Sequence, residues 1–174
     1  MAAPKAKSVQ QRFGFCDEEL KTPAHDALMA WIYEYMPEIL AEVYNLSEAP
    51  RIWTKRWEYP LKSEHGFILG AADMFVQAST TARDLAVFIE AKPKIRSLGE
   101  LIRQINFYKA SSHSMVSCPR GDYCRSEWLV IAPDDQFAVT LREQGILFLK
   151  SPSELISPGR TVSTALPNRH SQPR

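Results

Sequence analysis

Charge of one sign, cysteine and long apolar runs are what this 174-residue chain has little of. Its 21 Lys and Arg against 20 Asp and Glu leave a formal charge of +1. Bulk charge therefore announces no nucleic-acid partner, and only local clustering can. The three cysteines, Cys16, Cys118 and Cys124, are too few and too scattered for a secreted disulfide framework. No segment approaches the roughly 18 apolar residues of a membrane span. The stretch "MAAPKAKSVQQRFGF" lacks the apolar core of a secretory signal. Together these absences predict a cytoplasmic protein with no membrane partner. What is present suits one folded domain: 45% hydrophobic and 24% charged residues, in a chain long enough for a real core. No internal repeat is visible.

Residues 1–20 read as a loosely ordered polar segment. In "KTPAHDALMAWIYEYM", Thr22 can cap a helix and Pro23 suits its first position. Leu28, Trp31, Ile32 and Tyr35 recur at helical period. Pro37 should kink or end this helix, and "PEILAEVYNL" restarts it. "RIWTKRWEYPLK" alternates, imperfectly, like a strand; "SEHG" is a turn; "FILGAADMFVQA" and "DLAVFIEAK" are two further strands. "SLGELIRQINFYKA" is a helix with a capping-box pattern at Ser97 and Glu100. Residues 111–125 read as a polar loop. "SEWLVIAP" is an apolar strand suited to a sheet covered on both faces. "DDQFAVTLREQG" is a helix closed by Gly145, and "ILFLK" a last strand. Residues 151–174 read as a disordered Ser- and Pro-rich tail. The order α-β-β-β-α-β-α-β predicts a mixed sheet flanked by helices, α/β or α+β, in one domain over 21–150.

The informative stretch is "RDLAVFIEAKPKIRS". Side chains alternate across a strand. Leu85, Val87, Ile89 and Ala91 then face a core, while Phe88, Glu90 and Lys92 face the other way. Glu90 and Lys92 are roughly 6.6 Å apart along the strand, too far for a tight ion pair unless their side chains bend together. That spacing suits two groups converging on a third. In the preceding strand Asp73 is the only formal charge. The short connection "STTARD" makes the two strands an antiparallel hairpin, with Asp73 across from Glu90. Two carboxylates so close invite a cation between them. Mg²⁺ suits them, since it takes oxygen ligands and needs only one or two carboxylates. Lys92 would then orient a water or stabilise developing charge.

Asp73, sixteen intervening residues and then Glu90-Ala91-Lys92 resemble the signature of the PD-(D/E)xK nuclease superfamily, with Ala72-Asp73 in place of its usual Pro-Asp. The helix containing Gln104 and Tyr108, four residues apart and so on one face, is similar to the Q-x-x-x-Y of its RecB-type branch. The resemblance covers residues 22 to about 133 and implies a restriction-endonuclease-like core in αβββαβ order. It implies Mg²⁺ or Mn²⁺ held by Asp73, Glu90 and the carbonyl of Ala91. It makes Lys92 the catalytic lysine and has Gln104 line the site, while Tyr108 supports the site or contacts DNA. The activity implied is metal-dependent DNA phosphodiester hydrolysis, exonuclease-like or structure-selective, in recombination, repair or defence. Such nucleases act as homodimers or with a partner protein. The alternative is a nuclease-fold module that binds nucleic acid or protein without turnover.

Charge clustering agrees with a phosphodiester substrate. From 92 to 109, Lys92, Lys94, Arg96, Arg103 and Lys109 stand against Glu100 alone, and Lys55, Arg56 and Arg83 extend the basic rim. These are expected to be backbone contacts without sequence information; taken alone, such a cluster is a solvated face. Asp26, Glu34 and Glu38 are open candidates for an added acidic ligand from the first helix, and His25 could contact the site but reads first as a capping or surface residue. His113, Cys118 and Cys124 lack the short C-x₂₋₄-C knuckle of a zinc site, so their loop reads as a mobile cover over the active site.

Overall fold

The computed structural model describes residues 22–110, 115–121 and 123–156. Two helices open the described chain, α1 (Pro23–Glu34) and α2 (Met36–Val43). Strands β1 (Arg51–Lys62), β2 (Ile68–Ser79) and β3 (Asp84–Ala91) follow. Then come α3 (Leu98–Lys109), β4 (Met115–Ser117), β5 (Tyr123–Ala132), α4 (Ala138–Glu143), β6 (Leu147–Lys150) and a 3₁₀ turn at Ser153–Ile156. The architecture is mixed α/β: a six-stranded mixed sheet with four α-helices among the described residues.

Strands β1, β2 and β3 form an antiparallel meander, and β3, β5 and β6 run parallel. Parallel neighbours need a crossover, which α3 supplies between β3 and β5, and α4 between β5 and β6. The short β4 pairs with the start of β5. The central strands are apolar on both faces because helices cover both. Leu85, Val87, Ile89 and Ala91 of β3 join Leu129 and Ile131 under α1 and α2. Ala86 and Phe88 join Trp128 and Val130 under α3 and α4. Each such buried side chain stabilises the fold by roughly 1.5–3 kcal/mol. On the α3 face a row of rings crosses the sheet: Tyr59, Phe75, Phe88, Trp128 and Tyr108, with successive centroids 4.7, 4.7, 5.2 and 5.6 Å apart.

The helix starts follow their caps. Thr22 Oγ1 accepts from the His25 amide, and Ser97 Oγ from the Glu100 amide. The imperfect alternation of β1 has two causes. A register shift lies between Ile52 and Thr54, and Glu58 adopts φ +44°. Ile52 therefore packs on the α1 face and Leu61 on the α3 face.

Four expectations change. The helix expected over 134–145 spans only Ala138–Glu143, because the Asp134 carboxylate accepts from the Gln136 amide and forms a turn first. Gly145, at φ +64°, then ends the helix. The loop expected over 111–125 contains the β4–β5 pair, closed by a Cys118–Cys124 disulfide. That bond takes up both thiols and removes them from any zinc site; His113 lies outside the described residues. A disulfide is also uncommon in reducing compartments, so scarce cysteine no longer argues for the cytoplasm. Finally, the tail does not begin at 151. Ser151 donates its amide to Ala132 O, and Leu155 is buried in the α1-side core. Residues 1–21 and 157–174 lie outside the described residues. No helix among the described residues is long and apolar enough to cross a membrane.

Candidate active site

The antiparallel ladder between β2 and β3 runs from Ser79–Asp84 to Met74–Ile89 and stops there. The next rung would be Asp73 and Glu90, so the strands part at the two carboxylates. Beyond the parting, β3 stays attached to β5, with the Lys92 amide bonded to Ile131 O at 2.9 Å. The Ala91 amide has lost its ladder partner on the β2 side. Asp73 Oδ2 replaces it, accepting at 2.8 Å. A strand residue's N–H and C=O point to the same neighbour, so the Ala91 carbonyl faces the same gap.

Glu90 shares its face with Phe88, under α3, and is 1% exposed. Its Oε1 lies 3.1 Å from Lys92 Nζ and accepts from Gln104 Nε2 at 3.4 Å. The side chains of Glu90 and Lys92 do bend together, which closes the spacing that extended strand geometry gives. Glu90 Oε2 is buried and has no hydrogen-bond partner. Burial pushes the carboxyl well above the usual carboxylate range and Asp73 adds to this, while Lys92 and His25 oppose it.

His25 enters from the first turn of α1. Its Nε2 lies 3.4 Å from Asp73 Oδ1, within ion-pair range but not seated in a hydrogen bond. The Asp73 carboxylate holds the imidazole above its ordinary value, against the burial that lowers it. The expectation of a surface or capping residue is wrong here. The signal was in the sequence: His25, Leu28, Met29 and Ile32 fall at i, i+3, i+4 and i+7, the buried stripe of α1. The acidic candidates of the helical segment, Asp26, Glu34 and Glu38, are exposed instead.

Asp73, Glu90, Lys92 and Gln104 thus converge as expected. Tyr108 does not reach the surface. It is 1% exposed, stacks on Trp128, and its hydroxyl accepts from Gln104 Nε2 at 3.3 Å. Its place is to hold Gln104, not to contact a substrate. Of the basic rim, Lys94, Arg96 and Arg103 are exposed. Lys109 is not part of it: Nζ donates to the carbonyls of Gln144 and Gly145, both at 3.1 Å, closing the end of α4. Arg83 sits over Tyr44 near the β2–β3 turn, at the far end of the hairpin.

Among the described residues no three His, Cys, Asp or Glu side chains already surround one point as a ligand set. The Asp73 and Glu90 carboxylates and the Ala91 carbonyl are oxygen donors, the ligand chemistry of a hard cation that keeps several waters. Compared with known proteins, the chain matches no family model, no curated protein and no solved structure.

Proposed function

We propose that this chain is a metal-dependent deoxyribonuclease of the PD-(D/E)xK type, with α1, β1, β2, β3, α3 and β5 as its core. The observation that carries the reading is the buried Glu90 Oε2, which has no hydrogen-bond partner, beside the Asp73 carboxylate where β2 and β3 part. Buried polar atoms without partners are costly and rare. Glu90 Oε2 presents lone pairs to a cation, and His25 holds the Asp73 carboxylate beside it. Mg²⁺ or Mn²⁺ held by Asp73, Glu90 and the Ala91 carbonyl would polarise a phosphate and lower the pKa of a bound water.

The chain's own residues supply the rest. Gln104 and Lys92 both fix Glu90 Oε1, which leaves Oε2 to face the gap. His25 orients Asp73. Lys92 positions the attacking water and offsets negative charge on the phosphate. Lys94, Arg96 and Arg103, all exposed and close to Lys92 or Gln104 in the chain, carry charge suited to phosphates rather than to base edges.

The test is a panel of single-stranded, duplex and branched DNA, and RNA, each with Mg²⁺ and with Mn²⁺. The wild type is expected to cut DNA. Lys92→Ala should lose on the order of 10²–10³ in turnover, as removal of one charge-stabilising group does, with an unchanged circular-dichroism spectrum. Binding without cleavage across the whole panel overturns the enzyme reading and leaves a module without turnover. Cleavage confined to RNA replaces the substrate.

A further inference from the structure

Strand β1 carries an aromatic and cationic strip that the proposed chemistry does not use. Trp53 is 44% exposed, Trp57 46% and Tyr33, from α1, 40%. What sets these rings apart is their grouping and the contacts that fix them, since clustered exposed rings mark interaction surfaces. These rings are held in place. The Trp53 indole donates to Ser79 Oγ at 2.6 Å, and the Arg51 guanidinium lies 4.1 Å from its ring centroid. Tyr33 stacks on Trp57 with centroids 5.4 Å apart, and Lys55 Nζ sits 3.8 Å over Tyr33. Among the described residues β1 pairs only with β2, so its outer edge is open.

We infer that this strip is a platform for single-stranded nucleic acid, leading the strand toward Asp73. Three observations select that occupant. The rings alternate along the strand with Arg51 and Lys55, whereas Glu58 is the only acid on it. Fixed rings flanked by cations match a chain of bases joined by phosphates, and they match an apolar protein face poorly. The strip also runs beside the site along the backbone: Trp57 pairs with Met74, the residue after Asp73, and Tyr33 belongs to α1, the helix that brings His25 to Asp73. At its other end Arg51 and Trp53 line an open cleft of about 620 Å³ together with Ser79, Thr80 and Arg120. Bases stack on such rings only when unpaired, so the platform favours single strands over duplex. The inference extends the proposed function by naming the form of substrate.

The test is quenching of tryptophan fluorescence by oligothymidylate, in EDTA so that nothing is cut, using the full chain. Wild type is expected to bind the single strand more tightly than a duplex of equal length. Trp57→Ala should weaken binding roughly 5- to 100-fold, the range for losing one stacking ring. Trp57→Phe, which keeps a ring face, should restore most of it. Lys55→Ala should flatten the dependence of log affinity on log salt by about 0.7, one phosphate contact. Equal affinity of Trp57→Ala and wild type overturns the inference even if the protein cuts DNA. So does a dimeric wild type made monomeric by Trp57→Ala, which would assign the strip to edge pairing between copies. Single-strand binding through Trp57 with no cleavage in Mg²⁺ or Mn²⁺ would uphold the platform and sink the nuclease reading.

Discussion

At its turn, the β2–β3 hairpin buries Asp84; at its parted end, it buries Asp73 and Glu90. The Asp84 side chain is 7% exposed and Glu90's is 2%, so the two ends are alike in burial. They differ in what surrounds the charge. Asp84 Oδ1 accepts from Ser79 Oγ at 2.5 Å and lies 3.3 Å from Arg120 Nε, while Oδ2 accepts from the Arg120 amide. Both oxygens are engaged. Glu90 has two donors on Oε1 and none on Oε2. A buried carboxylate by itself marks nothing; one with bonding capacity left over, at a place where two strands separate, is a candidate site.

Substitutions at the two ends should therefore have opposite signatures. Glu90→Gln should reduce DNA cleavage by more than about 10²-fold. At pH 8 it should leave stability unchanged or raise it by about 1 kcal/mol, since it removes an incompletely matched buried charge. Asp84→Asn should cost about 1–2 kcal/mol through its charged hydrogen bonds and leave cleavage intact. Urea midpoints and turnover on one substrate measure both. If Glu90→Gln destabilises as Asp84→Asn does, the distinction between the ends disappears.

The pH dependence sharpens the same contrast. Burial raises Glu90 from 4.5 to about 7, so the folded state binds more protons than the unfolded state between those values. Stability must then fall as pH rises through that window. His25, which the Asp73 carboxylate also raises, acts in the same direction above its ordinary value. The urea midpoint of wild type should decline from pH 4.5 toward pH 8, and Glu90→Gln should flatten much of that decline. An equally steep decline in Glu90→Gln would show that the buried carboxyl is not its source.

A smaller effect is expected at Gln104. It touches Glu90 and Tyr108, not the gap itself. Gln104→Ala should lose about tenfold in turnover, as removal of an outer hydrogen-bond partner does, with a stability change within about 1 kcal/mol. A loss as large as that of Glu90→Gln would move Gln104 from a supporting role to the reacting centre.

Much of this site was legible in the chain. Period-two alternation put Glu90 and Lys92 on one face of their strand, and the short Thr80–Arg83 turn set Asp73 opposite. The Ser97 cap fixed the phase of α3 and so the reach of Gln104. What was not legible depends on distant chain. Lys109 looked like part of a basic rim because its carbonyl partners, 35 and 36 residues away, cannot be read locally. Tyr108 looked accessible because Trp128, which covers it, belongs to another strand. The β4–β5 pair is three residues long and gives no periodicity to detect. His25 was legible but was weighed by residue type instead of by its place in the stripe.

Leu155 gives the end of the described chain a mechanical role. It fills space beneath α1, in the core that includes Leu28 and Ile32. A chain cut after Lys150 would leave a void there, at a cost on the order of 2–5 kcal/mol for a lost leucine side chain. The element resting on that void is the one that carries His25 to Asp73. Shortening the protein at a point far from Asp73 in sequence would thus loosen the helix that brings His25 to Asp73 while Asp73, Glu90 and Lys92 remained in the chain.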